Sequence, residues 1–423
     1  GPEPLILDGS LRDNILYGLR RVAPYTVNPA GWSIDPGRAG AADEAELELK
    51  LIEVLRIVGL ADAVFRFGLA CKLDRGSGSE LVAGISAIRA RVRAGLAERG
   101  IGAAIEPYDP ARYTRNATIG ENIVFGVPLD SGLVGASLAN HELTRRILTD
   151  LGLTETLLGI GRRIAATMLE IFADLPPGHV LFEQYSFIAA EDFQEYGDLL
   201  GRVEAGTANE ADHTRLIGLA LLYVEPRHRL GLLDRAVEAR ILAVRAAFHE
   251  RAPADPAHAI AFYDPRGYCA AAPVRDNVLF GAVAQDAVVA DEAIRDTLAE
   301  FGLDAEIYRR GLEQSAGYAG RLLFPAMKTQ IALARCLIKQ PQLLILNNAF
   351  GAFGQNEARQ ILSRIRAAMA GRTVIVAGRD LASDHGYDLH IAFEGARLAA
   401  VQGDVGATPA EDRAGSGQPG SGA

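Results

Sequence analysis

Apolar residues recur at steps of three and four along most of the chain, a spacing that predicts amphipathic α-helices. The clearest stretch is Ala45–Val64. The same period predicts helices at Leu81–Arg99, Leu143–Leu151, Asp234–Arg251, Asp291–Phe301 and Asn356–Met369. Strand-like apolar runs come only late, at Leu343–Leu346, Thr373–Ala377 and Leu389–Phe393. We therefore expect a helix-rich chain that becomes α/β towards its end.

Breaks in this pattern predict loops. Residues 23–42 are rich in proline and glycine, and Asp74–Ser79 is a shorter break. Consecutive prolines in Leu175–Gly178 cannot continue a helix. The tail from Gly406 onward has low complexity, so we expect it to be disordered.

One segment occurs three times, which indicates an internal repeat. It reads GSLRDNILYG at Gly9–Gly18, ATIGENIVFG at Ala117–Gly126 and APVRDNVLFG at Ala272–Gly281. We call these the first, second and third repeat segments. Each is followed by a predicted helix that ends in Gly-Leu, and the last two are preceded by the related runs EPYDPARY and AFYDPRGY.

The repeat segments carry signals for short capped helices. Ser10 with Asp13, and Thr118 with Glu121, have the spacing of a capping box, whereas the third segment has Pro273 in place of the hydroxyl. The final glycines, Gly18, Gly126 and Gly281, are where a left-handed helix stop costs least. We expect the apolar face of each short helix to pack on the Gly-Leu helix that follows it.

Composition and charge narrow the class of protein. Apolar residues make up 49% of the 423 residues, which excludes a wholly disordered chain. A net charge of -10 argues against a nucleic-acid partner, because such proteins present a basic face. Three scattered cysteines without a CxxC pair fit a reducing compartment. Apolar runs stay well below the roughly 18 residues that cross a bilayer. We expect a cytoplasmic chain, and we interpret Gly1-Pro2 as an excision point in a longer protein.

Familiar catalytic motifs are missing or weak. A phosphate-binding loop needs a lysine directly after a glycine, and none of the four lysines follows a glycine. The eight histidines form no HExxH pattern, and we predict no metal site. The match to GxGxxG at Gly415–Gly420 lies in the tail without a preceding strand, so it carries no weight.

The last part of the chain resembles a known family. The run LFPAMKTQIALARCLIKQPQLLILNNAFGAFG (Leu323–Gly354) is similar to the signature-to-Walker-B stretch of ATP-binding cassette (ABC) transporters. The repeat segments resemble the (S/T)-I-R-E-N-I-x-x-G pattern that follows that family's Q-loop. The runs Gly371–Ser383 and Tyr387–Leu398 resemble its switch-histidine strand and closing hairpin.

The resemblance implies a helix-rich α/β fold. It is an incomplete ABC-type P-loop ATPase lobe with a large, mostly α-helical insertion that contains three related repeats. The implied units are a helical repeat after the Q-loop, two repeats of the insertion, a degenerate ATPase lobe and a disordered tail. Their boundaries are 1–75, 76–185, 186–320, 321–405 and 406–423.

At the family's signature position, L-S-G-G-Q is replaced by Leu323, Phe324, Pro325, Ala326 and Met327. In the family this helix N-terminus offers a serine hydroxyl and free amides to the γ-phosphate, since helix N-termini favour anions. Pro325 has no N–H and Phe324 has no hydroxyl, so we expect the nucleotide-binding site to be degraded. Proline is well tolerated in a first helical turn, so the helix itself should form.

The family's catalytic positions are also altered. Its Walker B aspartate and glutamate correspond to Asn347 and Asn348, and its switch histidine corresponds to Gly378. An amide carries no negative charge and is not a useful base near neutral pH. An asparagine pair after a strand could be an ordinary turn, but because the flanking residues match the family we interpret these positions as lost catalysts.

The resemblance implies the cytosolic ATP-binding-domain portion of an ABC-type transporter subunit. It also implies a membrane-spanning partner domain, a homo- or heterodimer and a peripheral location at the cytoplasmic membrane. ATP and magnesium are implied by family only, and we expect this chain alone neither to bind ATP tightly nor to hydrolyse it. The alternative is a non-catalytic pseudo-ATPase scaffold or regulator that acts through its helical repeats.

Since the family places the first repeat segment against the membrane domain, we expect residues 9–20 to contact that partner. We expect residues 117–126 and 272–281 to stabilise the insertion.

Overall fold

Helices dominate the structure, as the apolar spacing predicts. The computed structural model describes residues 4–21, 33–172 without 75 and 77, 188–252, 260–284, 287–378 and 387–403. Its first helices are α1 (Leu11–Leu16), α2 (Glu44–Val58), α3 (Ala61–Ala70), α4 (Glu80–Ala83), α5 (Ile85–Glu98), α6 (Ile119–Val124), α7 (Glu142–Asp150) and α8 (Thr154–Phe172). They are followed by α9 (Phe193–Glu204), α10 (Glu210–Leu221), α11 (Glu225–His228), α12 (Arg235–Arg251), α13 (Val274–Leu279), α14 (Ala287–Glu300), α15 (Asp304–Leu312), α16 (Pro325–Leu337) and α17 (Gln355–Ala368).

Two of the predicted boundaries need comment. The helix expected at Ala45–Val64 is divided into α2 and α3, because Gly59 adopts a left-handed conformation with φ of 77° and ends α2. The break at Asp74–Ser79 is confirmed between α3 and α4. The loop predicted at Leu175–Gly178 and the tail from Gly406 lie outside the described residues.

The described strands form five small sheets of two strands each. The three late runs are confirmed as strands: β7 (Leu343–Asn347) pairs in parallel with β8 (Thr373–Ala377), and β9 (Leu389–Glu394) pairs with β10 (Arg397–Gly403). Six short strands pair antiparallel and were not predicted, because runs of two or three residues show no alternation. They are β1 (Arg20–Arg21) with β2 (Ser33–Ile34), β3 (Ile105–Pro107) with β6 (Gly281–Val283), and β4 (Gly126–Pro128) with β5 (Ile260–Phe262).

Buried apolar side chains form two clusters. The first joins the N-terminal helices to the late sheet, and its members include Leu11, Leu51, Phe65, Ile331 and Leu344. The second is built mainly from α6, α7, α8, α10 and α12, with Ile123, Ile164 and Val244 in its centre. The first and third repeat segments belong to the first cluster, and the second repeat segment belongs to the second cluster.

The capping predictions are confirmed where the sequence has a hydroxyl. The Ser10 side chain accepts from the amide of Asp13, whose carboxylate accepts from the amide of Ser10. Thr118 and Glu121 form the same reciprocal pair at the start of α6. Pro273 precedes α13 without a side-chain cap.

The predicted left-handed stops at Gly18, Gly126 and Gly281 are wrong. In the second and third segments the left-handed residue is the preceding phenylalanine, with φ of 43° at both Phe125 and Phe280. Gly18 lies inside the 3-10 turn Tyr17–Leu19. Gly126 and Gly281 begin β4 and β6, where a Cβ atom would lie 2.7 Å from the Ala261 carbonyl oxygen and 2.5 Å from that of Glu106. These two glycines are required for close approach of the strands.

The predicted helix partners are also wrong. The main partner of α1 is α16, that of α6 is α12, and that of α13 is α5. The helix that follows each repeat segment in sequence makes fewer contacts with it. An example is the bond between Arg12 on α1 and Glu48 on α2. A single apolar face does not specify which helix will cover it, so the sequence pattern could not assign these partners.

The late sheet is buried on one face only. Leu344 and Leu346 of β7 lie in the first cluster, while Leu343 and Ile345 on the same strand are exposed. Ile375 of β8 is exposed in the same way. The hairpin β9–β10 adds a further exposed apolar set, namely Leu389, Ile391, Phe393, Leu398 and Val401.

We expect residues 321–405 to be unstable when expressed alone. The buried face of β7 packs in a core that α1 and α2 help to build, so removal of these helices exposes it. The measurement is chemical unfolding of the fragment beside the full chain. A monomeric fragment with a cooperative transition would contradict this expectation.

A second prediction concerns the close approach of β6 to β3. Gly281→Ala places a methyl group against the backbone of Glu106 and should lower the free energy of unfolding by about 1–3 kcal/mol. The control is Gly201→Ala in α9, where no atom lies within 4 Å of the added Cβ and helix propensity favours alanine by up to about 1 kcal/mol. The measurement is the urea concentration at the unfolding midpoint of each variant. Equal midpoints would show that the close approach of β6 to β3 does not require glycine at 281.

Candidate functional site

The predicted catalytic positions lie at the carboxyl end of the parallel strands. Asn347 is the last residue of β7 and pairs with Ala377, the last residue of β8, so that Gly378 follows directly. The amide of Asn348 donates to the Ala377 carbonyl at 2.8 Å. The structure therefore brings Asn347, Asn348 and Gly378 together at one exposed edge.

The backbone of Asn348 is left-handed, with φ of 48°. Asparagine tolerates this conformation better than other residues with a side chain, because its short polar group can bond locally. The residues that follow, Ala349–Gly354, contain no carboxylate. Residues 347–354 and Gly378 therefore offer amides and backbone groups at this edge, and none of them is a general base.

The predicted nucleotide-binding positions lie at the start of α16. Phe324 is the N-cap residue, 77% exposed, and it makes no side-chain capping bond. Pro325 is the first residue of the helix, which confirms that the helix forms. Leu323 is buried, whereas Ala326 and Met327 are half-buried. This helix start presents apolar side chains in place of a hydroxyl, and it lacks one amide at Pro325.

An arginine further along α16 makes a set of contacts that the sequence analysis missed. The Arg335 Nε atom donates to the Asn14 carbonyl at 2.7 Å, and its Nη1 atom donates to the Leu5 carbonyl at 2.9 Å. Its guanidinium lies 5.9 Å from the centre of the Tyr17 ring. Burial lowers the pKa of Arg335. The helix at the signature position is thus bonded directly to the first repeat segment.

Arg245 on α12 makes the same contacts with the second repeat segment. Its Nε atom donates to the Asn122 carbonyl at 2.7 Å, and its Nη1 atom donates to the Arg112 carbonyl at 2.9 Å. Its guanidinium lies 4.2 Å from the centre of the Phe125 ring. Burial lowers the pKa of Arg245 to about 10, so it stays charged at neutral pH.

Arg89 on α5 repeats this pattern with the third segment. Its Nε atom donates to the Asn277 carbonyl at 2.7 Å, its Nη2 atom donates to the Gly267 carbonyl at 3.0 Å, and it lies 3.9 Å from the Phe280 ring centre. Burial lowers the pKa of Arg89 to about 10. We call each of these arginines, with the asparagine carbonyl that it bonds, an arginine clamp.

The three asparagines also act alike within their own segments. The Asn122 side chain accepts from the Thr114 amide at 2.8 Å and donates to the Thr114 carbonyl at 2.7 Å. Asn14 closes the same pair of bonds with Leu7, and Asn277 closes it with Cys269. Each asparagine thereby fixes the loop whose carbonyls the clamp arginine bonds.

A sequence signal for the clamps exists. The three helices share a buried isoleucine four positions before the arginine and a small residue after it. The runs are ISAIRA at 85–90, ILAVRA at 241–246 and IALARC at 331–336.

Two further findings concern metals and membranes. Among the residues that the structure describes, no three His, Cys, Asp or Glu side chains are grouped so that they could hold a metal ion. Within the same ranges, no helix combines the length and the hydropathy needed to cross a membrane.

Comparisons with curated proteins point to one family. The chain is 31% identical over 133 residues to a sophorolipid transporter of Starmerella bombicola. It is 30% identical over 128 residues to a probable multidrug resistance ABC transporter ATP-binding/permease protein, YheI, of Bacillus subtilis. It is 32% identical over 151 residues to an ATM1-type heavy metal exporter of Novosphingobium aromaticivorans.

The chain contains a domain related to ABC transporters. These matches cover 31%, 30% and 34% of the chain, and only 10%, 21% and 22% of the three relatives. No family model matches the chain, and no solved structure does.

The residues at the positions that resemble the family's Walker B and signature motifs do not fit a magnesium–ATP site. Magnesium requires carboxylate or other oxygen ligands in a strict geometry, and the β7 edge offers Asn347 and Asn348 without an acid. The start of α16 lacks one amide at Pro325, and its N-cap residue Phe324 is an exposed apolar residue without a hydroxyl. Both elements keep their fold while the groups for nucleotide chemistry are absent from these positions.

We expect no magnesium-dependent ATP turnover by this chain, and no rescue by Asn347→Asp combined with Asn348→Glu. The physical reason is that no lysine follows a glycine, so a phosphate loop is missing as well. The measurement is phosphate release against a blank without protein, with a competent ABC ATP-binding domain as the positive control. Phosphate release above the blank by this chain or by its double variant would contradict the prediction.

The left-handed backbone of Asn348 allows a separate test. Asn348→Glu should destabilise the chain by about 1 kcal/mol, because glutamate pays more for φ above zero. Asn348→Gly should be neutral or stabilising. Thermal unfolding of the two variants gives the comparison, and a glutamate variant as stable as the glycine variant would show that φ at 348 is unconstrained.

Proposed function

We propose that the chain is the cytosolic part of an ABC transporter subunit whose ATPase lobe has lost its catalytic groups. The observation that carries this proposal is the edge formed by Asn347, Asn348 and Gly378, which has the strand arrangement of the family without its acids. The clamp between Arg335 and Asn14 supports it further, because it joins the signature-position helix to the segment that follows the Q-loop in the family.

Within this proposal, the helical insertion carries two further copies of the first repeat segment. The equivalent bonds of Asn14, Asn122 and Asn277 support the repeat relation. We keep 1–75, 76–185, 186–320 and 321–405 as the proposed units of the chain. The chain would act at the cytoplasmic membrane through a membrane-spanning partner domain, in a homo- or heterodimer.

A second candidate function is a pseudo-ATPase scaffold. The exposed apolar side chains Tyr318, Leu322 and Phe324 at the start of α16 favour it. Such a surface suits contact with a protein better than contact with a phosphate. In this case Tyr318 would be part of the working surface, and the first repeat segment would be structural.

The first repeat segment is where the proposed membrane partner would dock. Arg12 and Asp13 are poor probes of this contact, because Arg12 bonds Glu48 and Asp13 caps its own helix and bonds Arg20. Tyr17 is the better probe, since its ring is 42% exposed. Phe125 and Phe280, at the matching positions of the other segments, are only 2% exposed each.

We expect Tyr17→Ala to weaken assembly with a membrane-spanning domain without unfolding the chain. The test uses the natural reading frame that contains this chain and measures co-purification of the membrane-spanning part in detergent. The control is Tyr318→Ala, which removes a more exposed ring from the turn that precedes α16. Full assembly of Tyr17→Ala would contradict docking through the first repeat segment, and a reading frame without a membrane-spanning part or partner would exclude the transporter.

A further inference from the structure

We propose that α5 and α12 are internal copies of α16, and that the two units of the insertion are interlocked, each completed by the arginine helix of the other. This inference goes beyond the proposed function and is independent of any membrane partner. It rests on the order of the parts along the chain and on the contacts between them.

The order of the parts is the same in both units. One unit runs from α5 through β3 and Tyr108 to the second repeat segment and β4. The other runs from α12 through β5 and Tyr263 to the third repeat segment and β6. We call these unit two and unit three.

The contacts between the parts are crossed. Arg89 belongs to unit two and clamps Asn277 of unit three, whereas Arg245 belongs to unit three and clamps Asn122 of unit two. The strands follow the same rule, because β3 pairs with β6 and β5 pairs with β4. Each repeat segment is therefore held by a helix and a strand from the other unit.

Reciprocal backbone bonds continue this pattern. The Tyr108 amide donates to the Phe280 carbonyl at 3.0 Å, and the Tyr263 amide donates to the Phe125 carbonyl at 3.1 Å. If unit two and unit three are interchanged, each of these two bonds takes the place of the other. A chance contact between unrelated segments would not produce matching partners on both sides.

Four aromatic rings lie where the two units cross. The Tyr108 and Tyr263 rings stack with centroids 4.5 Å apart and planes 12° apart. Tyr108 meets Phe125 and Phe280 edge-on at 6.0 Å and 5.7 Å, and Tyr263 meets them at 5.6 Å and 5.8 Å. The four distances are nearly equal, as expected around a local two-fold axis.

The crossed contacts have a physical consequence for both units. Each clamp arginine bonds several backbone carbonyls of one loop, and loss of these bonds from the buried guanidinium is costly. If one unit opens, the segment of the other loses its helix and its strand together. The first repeat segment differs, because Arg335 comes from α16 and the ring of Tyr17 remains half-exposed.

The test is hydrogen exchange of the full chain, read peptide by peptide. Arg89→Met should raise exchange by about tenfold or more in residues 263–283 and also in residues 105–128, because local opening spreads through a cooperative unit. Arg335→Met removes the same kind of bond and should raise exchange in residues 5–19 only. A rise confined to residues 263–283 in Arg89→Met would overturn the proposal.

A second pair of variants keeps the test valid if Arg89→Met does not fold. Tyr263→Leu removes the stack at the centre of the exchange and leaves all clamp bonds in place. We expect it to raise hydrogen exchange in β4 and β6 to a similar extent. Tyr318→Leu, at an exposed ring that belongs to neither the run from α5 to β4 nor the run from α12 to β6, should change neither strand. A Tyr263→Leu response in only one of the two strands would contradict an interlocked pair.

Discussion

A buried guanidinium bonded to neutral backbone carbonyls is the interaction on which the arrangement of this chain depends. Removing a charged group from water is costly, and the lowered pKa values of Arg89, Arg245 and Arg335 reflect that cost. The cost is offset because several carbonyls converge on each group and an aromatic ring covers it. Arginine suits this role because its planar fork of donors reaches several acceptors at once. Each clamp ties a helix to a segment that is remote in sequence.

The sequence predicted local features well and partners poorly. The capping boxes at Ser10 and Thr118 depend on residues three positions apart, so they could be read from the chain alone. The partners of the repeat segments depend on which remote helix carries an arginine at the correct turn. Apolar periodicity does not contain this information, because α2, α7 and α16 all offer a suitable face.

The candidate site shows the same division. The strands that end near Asn347 and Gly378 followed from the apolar runs and the resemblance, whereas their parallel pairing was found only in the structure. The left-handed backbone at Asn348 and at Phe125 did not follow, since a non-glycine residue with φ above zero is a product of its surroundings. In the case of Phe125, the surroundings are Arg245 above the ring and a strand that begins at the next residue. The resemblance to ABC transporters therefore indicated which strands and helices form, whereas the backbone conformations at Asn348 and Phe125 depend on the residues around them.

The clamps also set the order in which the chain can fold during synthesis. Arg245 follows Asn122 by 123 residues, Asn277 follows Arg89 by 188 residues, and Arg335 follows Asn14 by 321 residues. On the ribosome, the first repeat segment must therefore wait for 321 further residues before its arginine is synthesised. Contacts of such long range slow folding and leave apolar surface open in the meantime. The helix α1 is thus secured later after its own synthesis than either of the other two repeat helices, and its apolar face stays open for longer.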